Sequence, residues 1–114
     1  MSELTQQKCT ACRVGAPSAT SEEIEAYKPQ IPDWEFVEVD GVPRVQREYS
    51  FPDFVSALAF TNKVGALAEE EGHHPAIVLE WGKVNVAWWT HKIKNIHLND
   101  LIMAAKTDQI FNDR

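Results

Sequence analysis

The sequence is short of the features that mark several classes of protein. Its two cysteines, Cys9 and Cys12, are too few for a disulfide framework. It has no apolar run of the ~18 residues that a membrane-spanning helix needs, and residues 1–15 lack the apolar stretch of a secretory signal. Acidic residues outnumber basic ones by 17 to 11, which argues against nucleic acid or an anionic membrane as a partner. We therefore expect a cytoplasmic protein.

What the chain does contain is the composition of an ordinary globular domain, with 44% hydrophobic and 25% charged residues in a length of 114. Residues 1–19 hold few large apolar side chains and show no sustained periodicity. We expect these residues to form a loosely ordered N-terminal arm and residues 20–114 to form a single domain.

Local signals divide that domain into helices and strands. Thr20 and Glu23 fit a capping box at the start of a helix, whereas Asp40-Gly41 and Gly82-Lys83 are typical of tight turns between strands. The predicted elements are a helix from about Ser21, strands 34–39 and 44–50, a helix from a Ser50 cap to about Glu71 that Gly72 ends, strands 76–81 and 84–90, and a helix from about Leu98 to Phe111. This order, helix-strand-strand-helix-strand-strand-helix, predicts an α+β fold: a four-stranded antiparallel sheet with helices packed on one face.

All four histidines fall within residues 73–97. A two-residue turn at Gly82-Lys83 places His74 opposite His91 in the second hairpin, whereas a different turn length brings His73 there instead. In either register, histidines meet at the open end of that hairpin. Because imidazole has an ordinary pKa of ~6.5, such a group suits acid–base catalysis near neutral pH.

Other interpretations of this region stay open. His73 and His74 alternatively form a polar junction between helix and strand, and a zinc site is a further alternative. Because the histidine spacing is not that of two ligands on one helix, we expect no metal. Glu69 lies four residues before His73 and orients it if the helix continues that far, or it belongs to a solvated helix end. Asp100 is alternatively a plain helix cap.

The segment 69–75 reads E-x-x-x-H-H-P, and Trp81, His91 and Asp100 follow it. With these residues at these distances, the segment resembles the pterin-4a-carbinolamine dehydratase family. Upstream, Ile31-Pro32-Asp33-Trp34 is similar to the family's tryptophan before the first strand, and residues 51–64 are similar to its F-x-D-F helix. The resemblance covers residues 31–111.

The resemblance implies dehydration of a 4a-hydroxytetrahydropterin to the quinonoid dihydropterin by a homodimer or homotetramer, without a metal or an organic cofactor. The family's active-site histidines match His73, His74 and His91. The residues that line or support its pterin pocket match Trp34, Glu69, Pro75 and Asp100. We expect His73 and His91 to transfer protons, while His74 orients the ring with help from Trp34. The resemblance also implies that a dihydropteridine reductase and an aromatic amino acid hydroxylase use the product.

Two other functions follow from the same resemblance. Some members act as dimerisation cofactors for a homeodomain transcription factor, which would depend on a helix surface, here that of the long central helix. The polar residues Thr61, Asn62 and Lys63 offer no obvious apolar patch on that helix. Related proteins have been linked to the pterin of the molybdenum cofactor, which would keep the pocket and change the substrate.

The remaining residues of note are cysteines and tryptophans. Cys9-x-x-Cys12 is either a pair of thiols on a mobile arm or half of a zinc site shared by two subunits. Parity predicts Trp88 in the core, Trp81 packed at the hairpin end, and Trp89 on the face of His91, as a pocket floor or a subunit contact. Two sheets joined edge to edge would cover an exposed strand, so a homodimer is the expected minimum.

Overall fold

The computed structural model describes residues 3–9 and 17–113 and contains the predicted order of elements. The chain runs through α1 (Ser21–Tyr27), β1 (Glu35–Val39), β2 (Val42–Ser50), α2 (Phe54–Glu71), β3 (Ala76–Glu80), β4 (Lys83–Trp88) and α3 (Leu98–Asn112), with 3-10 turns at Leu4–Gln6 and Lys28–Gln30. The strands form one antiparallel sheet in the order β1-β2-β4-β3. The predicted α+β class is confirmed, and no helix in the described part of the chain has the length and apolar character to cross a membrane.

Three local signals act as predicted. Thr20 and Glu23 form the reciprocal hydrogen bonds of a capping box before α1, at 3.0 and 2.9 Å. Asp40 and Gly41 have positive φ angles of 52° and 80°, which turn β1 back into β2. Gly72 has a φ of 66° and ends α2 in the left-handed conformation that glycine adopts without steric cost.

The start of α2 differs from the prediction. Ser50, the predicted cap, is the last residue of β2 and pairs with Lys83. The helix begins at Phe54, and Asp53 caps it by accepting the Ser56 backbone N–H at 2.8 Å. Sheet pairing holds Ser50 in an extended strand, so the cap falls to the next suitable side chain along the chain.

The turn of the second hairpin lies one residue earlier than predicted. It consists of Trp81-Gly82, and Glu80 pairs with Lys83, whereas the prediction put the turn at Gly82-Lys83. The Gly82 carbonyl accepts the Phe51 N–H at 2.8 Å, and the Lys83 ammonium lies near carboxylates of two strands. The contacts with Phe51 and Glu48 come from segments distant in the chain, which a local turn signal does not encode.

This correction changes which residues face each other at the open end of the hairpin. Continued past its last pair, the β3–β4 register puts His74 opposite Trp89, so the predicted pair of His74 with His91 is wrong. The register shift is two residues. Because side chains alternate with a period of two, each one still lies on its predicted face of the sheet.

The core lies between the helices and one face of the sheet, as expected. The fully buried side chains of β2 and β4 on that face are Val45, Tyr49, Val84, Val86 and Trp88. They pack beneath α2 and α3. Trp88 occupies its predicted core position, and its indole N–H donates to Thr107 of α3 at 3.2 Å. Trp81 is 69% exposed, so the prediction that it packs at the hairpin end is wrong.

Part of the predicted N-terminal arm contacts the domain. Leu4 is completely buried, and the 3-10 turn that contains it packs on α3. The Cys9 N–H donates to the Glu71 carboxylate at 3.2 Å, and the Lys106 ammonium donates to the same carboxylate at 3.1 Å. Cys12 lies outside the described residues, so the functions considered for the Cys9-x-x-Cys12 motif stay hypotheses, as does the boundary between arm and domain.

Candidate active site

The ends of two elements form a concave site beside the second hairpin. α2 stops at Gly72, and the next three residues lead into β3; β4 stops at Trp88, and a turn follows it. Between these segments lies a pocket of about 350 Å³. Its lining residues are Gly72, His73, His74, Thr90, His91 and Lys92. The fold thus brings the three histidines selected from the sequence around one cavity.

His73 is the most constrained of the three. Its side chain is buried, and its Nε2 lies 2.5 Å from Oδ1 of Asp100. Its ring stacks on the core indole of Trp88, with the centroids 5.7 Å apart and the planes 8° from parallel. A hydrogen bond and a stacking contact together determine both the position and the orientation of this imidazole.

Asp100 connects His73 to α3. The carboxyl group is completely buried, and its Oδ2 accepts the Thr90 hydroxyl and the His97 backbone N–H, each at 2.9 Å. An ionised carboxylate is only an acceptor, so the Nε2 of His73 must donate to it. In the neutral imidazole, Nδ1 is then the nitrogen that can accept a proton. Asp100 also completes the capping box of α3, so the capping interpretation is confirmed, while its role in a pterin pocket stays a prediction.

Glu69 pairs with a different histidine from the one considered in the sequence. Its Oε1 lies 2.8 Å from the Nε2 of His74, whereas His73 turns away to Asp100. The reason is the end of α2: the left-handed Gly72 breaks the helical periodicity before His73, so spacing along a helix no longer applies. The side chains of His74 and Glu69 are 60% and 81% exposed, and such pairs add ~0–1 kcal/mol of stability.

His91 lies on the opposite wall of the pocket in the turn that follows β4. Two backbone hydrogen bonds between Thr90 and Asn95 close this turn. The His91 side chain is exposed, and its ring stacks on Trp89, with the centroids 4.6 Å apart and the planes at 24°. Trp89 therefore contacts His91 on their shared face of the sheet, as parity predicts.

Trp34 and Pro75 have different relations to the pocket. Pro75 follows His74 directly and lies half-buried before β3. Trp34 is not among the residues that line the cavity; it is buried, and its indole N–H donates to the carboxylate of Asp108 at 3.0 Å. Asp108 follows Asp100 by about two helical turns, or ~12 Å along α3, so Trp34 lies at the other end of that helix.

The residues around Asp108 form a second polar cluster, which the sequence interpretation did not find. Asp108 accepts the Tyr49 hydroxyl at 2.5 Å and the Arg47 guanidinium at 2.6 Å in addition to the indole of Trp34. Burial raises the pKa of Tyr49, and the neighbouring Asp108 carboxylate raises it further. The sequence did contain a signal for this cluster. Arg47 alternates with the core residues Val45 and Tyr49 along β2, and this pattern predicts a buried charge that needs a partner.

Comparisons with known proteins bear on the family and the fold of the chain. The fold and pocket describe a small α+β protein with a binding site lined by histidines. Residues 17–110 match the family model described as pterin 4 alpha carbinolamine dehydratase. The chain therefore belongs to the pterin-4-alpha-carbinolamine dehydratase family. Membership makes it an enzyme of the hydro-lyase class.

Relatives cover nearly the whole chain. A protein of Syntrophotalea carbinolica is 63% identical over 96% of this chain and 98% of its own length, and one of Nitrosococcus oceani is 57% identical over 96% and 97%. Both carry pterin-4-alpha-carbinolamine dehydratase as a provisional name. A crystal structure from Brucella melitensis, described as a transcriptional coactivator/pterin dehydratase, has a TM-score of 0.73 and 28% identity, covering 82% of this chain and 98% of that one.

A more distant structure supports the fold alone. It is described as a pterin dehydratase-like protein that is a RuBisCO assembly factor in the alpha-carboxysome. Its TM-score is 0.56 at 23% identity, over 67% of this chain and 88% of that one.

Proposed function

We propose that this protein removes water from a 4a-hydroxytetrahydropterin by histidine acid–base catalysis in the pocket between α2, β3 and β4. The observation that carries the proposal is the shared cavity of His73, His74 and His91, in which a buried carboxylate holds His73. A cavity of about 350 Å³ falls within the size range of small-molecule sites. The residues supply the proton donors and acceptors for the reaction, so no metal or organic cofactor is invoked.

The reaction needs a proton delivered and a proton removed. The substrate carries a hydroxyl on C4a and a proton on the adjacent N5, and both leave as water. One imidazolium protonates the departing hydroxyl, and a neutral imidazole accepts the N5 proton. We assign these two steps to His73 and His91, which lie on opposite walls, without deciding which acts as the acid. Each well-placed transfer contributes ~10²- to 10⁴-fold in rate.

Asp100 supports this chemistry through His73. By accepting a hydrogen bond from Nε2–H, the carboxylate leaves Nδ1 as the nitrogen that takes up or delivers the transferred proton, and it stabilises the imidazolium form of His73. His74, paired with Glu69 at the rim, binds and orients the pterin ring, and Pro75 supports the same wall. The role of Trp34 in ring binding stays a prediction, because its contacts lie with Asp108 in its own subunit.

The direct test is loss of the carbinolamine measured by stopped-flow ultraviolet absorbance. We expect His73→Ala and His91→Ala to lower kcat by ~10²-fold or more, and His74→Ala mainly to raise KM. The matched control is His97→Asn. His97 caps α3 outside the pocket, and asparagine is also a good N-cap residue, so this variant keeps its activity. If loss of His74 alone abolished turnover, the assignment of the two proton-transferring histidines would be wrong.

The cellular setting follows from the chemistry of the product. A quinonoid dihydropterin must be reduced before reuse, so we place the enzyme with a dihydropteridine reductase and an aromatic amino acid hydroxylase in the cytoplasm.

A homodimer or homotetramer remains our prediction, because β1 and β3 are edge strands of the sheet. Light scattering coupled to size-exclusion chromatography measures the oligomeric state.

A binding function is the second candidate, and one observation favours it. The exposed apolar residues near the start of α2 are Phe54, Val55 and Leu58, at 42%, 75% and 39% exposure. They lie before the polar Thr61–Lys63 stretch on the same helix, and the Brucella relative is described as a coactivator. A partner captured equally well by a variant in which all three pocket histidines are replaced would support this function.

A further alternative is that the substrate is the pterin of the molybdenum cofactor. A direct assay of carbinolamine dehydration distinguishes this alternative from our proposal.

A further inference from the structure

Two consecutive tryptophans, Trp88 and Trp89, stack on two histidines of the pocket. Successive side chains of an extended segment lie on opposite faces of the sheet. Trp88 lies on the core face, where its ring stacks on His73, and Trp89 lies on the other face, where its ring stacks on His91. Each of the histidines that we assign to proton transfer therefore has its own indole.

The two histidines differ in what else holds them. His73 is buried and bonded to Asp100. The His91 ring is exposed and makes no hydrogen bond to any of the residues that the structure describes, 3–9 and 17–113. The stacking contact with Trp89 is thus the interaction that can orient the His91 imidazole in the pocket.

Trp89 is itself held from the neighbouring strand. One position beyond Val45 and Trp88, the last pair of β2 and β4, lie Arg44 and Trp89. The guanidinium carbon of Arg44 lies 3.9 Å from the centroid of the Trp89 ring, a close cation–π contact with the aromatic side chain that binds cations best. The Nε of Arg44 is buried and has no hydrogen-bond partner among the described residues, so stacking is what engages this part of the side chain.

We propose that Trp89 is a positioning residue for His91 and that Arg44 acts through Trp89, as a column of guanidinium, indole and imidazole. This inference rests on the proposed function, because it concerns the reaction in the same pocket. The sequence alone did not indicate it, since Arg44 lies on β2 and His91 lies in the turn that follows β4. The column orients the exposed His91, as Asp100 and Trp88 orient the buried His73.

Kinetic constants of four variants test the column. A displacement of ~1 Å at a reacting group can cost ~10²-fold in rate. We expect Trp89→Leu to lower kcat by about 10- to 100-fold with KM changed by less than about threefold, because the substrate still binds to the other residues. Trp89→Phe keeps a stacking ring and restores kcat to within about threefold of the parent. Arg44→Met keeps the apolar stem and lowers kcat by about threefold. Gln46→Ala is the matched control on β2, and it changes neither constant.

Nuclear magnetic resonance gives a readout that does not depend on activity. Protons of an imidazole stacked on an indole face are shielded by the ring current, so we expect the His91 ring protons at lower chemical shift than those of the exposed His74. His91→Gln identifies the resonance. Trp89→Leu moves it to the position of a free histidine, whereas Trp89→Phe keeps part of the shift.

The outcomes separate this inference from the proposed function. An active parent whose Trp89→Leu variant keeps kcat, or whose His91 resonance is that of a free histidine, overturns the column alone. A rise in KM with kcat unchanged also overturns it, because Trp89 would then bind the substrate and not position the histidine. A parent without carbinolamine dehydration overturns the proposed function and, with it, the role given to the column. If Trp89→Leu does not fold, Arg44→Met tests the column: we expect kcat about threefold below that of the parent with KM unchanged, and kcat equal to that of the parent overturns the column.

Discussion

Asp100 and Asp108 lie on the same helix about two turns apart, and each accepts hydrogen bonds from three groups on other segments of the chain or at the start of α3. The donors to Asp100 are the His73 imidazole, the Thr90 hydroxyl and the His97 backbone N–H. The donors to Asp108 are the indole of Trp34, the guanidinium of Arg47 and the hydroxyl of Tyr49. The geometry is similar, but the chemistry that each carboxylate supports is different.

The difference lies in the donors. Imidazole gains and loses a proton near neutral pH, whereas indole does not, and a guanidinium stays protonated. Burial and the nearby Asp108 raise the pKa of Tyr49 well above its ordinary value, so this hydroxyl does not ionise either. The Asp100 network reaches the pocket lined by three histidines, whereas the residues that line the pocket beside Asp108 include no histidine. A buried carboxylate is therefore not evidence of a catalytic site by itself. Whether it supports catalysis depends on the group that donates to it.

The largest expected effect comes from Asp100→Asn. The His97 backbone N–H can only donate, so it takes the amide oxygen and turns the amide NH₂ towards His73. The imidazole is then forced into the tautomer that carries its proton on Nδ1. We expect kcat to fall by ~10²- to 10⁴-fold, measured by carbinolamine decay. Activity near that of the parent would mean that Asp100 has only a capping role.

Asp108→Asn tests the other half of the comparison. Removal of the negative charge leaves the partly buried Arg47 with the more exposed Asp33 carboxylate, 3.7 Å away, as its counter-ion, so we expect a loss of about 3 kcal/mol in the free energy of unfolding. Urea denaturation measures it. Without urea, where the variant is folded, kcat of Asp108→Asn stays within about threefold of the parent. A hundredfold loss of kcat in the folded variant would contradict the division into a reactive and a structural network.

Glu71→Gln examines a third carboxylate, at the end of α2, which accepts hydrogen bonds from Cys9 and Lys106. Burial by itself raises the pKa of Glu71, but the Cys9 N–H and the Lys106 ammonium outweigh it, so the pKa is lowered from its ordinary 4.5. Because the folded state prefers the ionised form, Glu71 stabilises the fold above the ordinary pKa, and this contribution is lost as the pH falls through the lowered value.

We therefore expect Glu71→Gln to destabilise the protein by about 2 kcal/mol at pH 7 and by progressively less below pH ~4.5. Thermal unfolding of the variant and the parent across pH 3 to 7 measures this difference. Lys106→Met removes the other member of the ion pair and is the matched variant. We expect it to weaken the same dependence of stability on pH in the acid range. A difference between Glu71→Gln and the parent that did not depend on pH would contradict this interpretation.

Asp53→Ala has the smallest expected effect of these four substitutions. Hydrogen bonds from Ser56 lower the pKa of Asp53, but the side chain is exposed, caps α2 and belongs to neither network. We expect the urea midpoint to fall by less than in Glu71→Gln, with kcat unchanged. Asp53→Ser, which is also a good cap, restores the midpoint. An equal loss in both variants would mean that the cap does not contribute.

Sequence reasoning was sufficient where a few adjacent residues determine the structure. The capping box at Thr20, the turn at Asp40-Gly41 and the glycine end of α2 each depend on local backbone geometry, and each was predicted correctly. The family resemblance selected the three pocket histidines and Asp100 by their order and spacing. What spacing did not reveal was the partner of each side chain, as the pairing of Glu69 with His74 shows.

Predictions failed where distant segments compete for the same residue. Sheet pairing with Lys83 keeps Ser50 in β2, and contact with Phe51 helps to determine the turn of the second hairpin. The resemblance matches Trp34 to a residue of the pterin pocket, a role that stays a prediction, but it did not indicate that the indole N–H bonds to Asp108. None of these partners is near its counterpart in the chain, so no local pattern could have indicated them.

The amino-acid sequence by itself determined the order of helices and strands, the face of the sheet on which each side chain lies, and the residue types available for proton transfer, because short-range sterics and hydrophobic periodicity control these properties. The tertiary structure decided which carboxylate holds which imidazole, and which indole lies beneath it. Those choices depend on packing between α3 and the strands, where each buried polar group must find a partner among segments far apart in the chain.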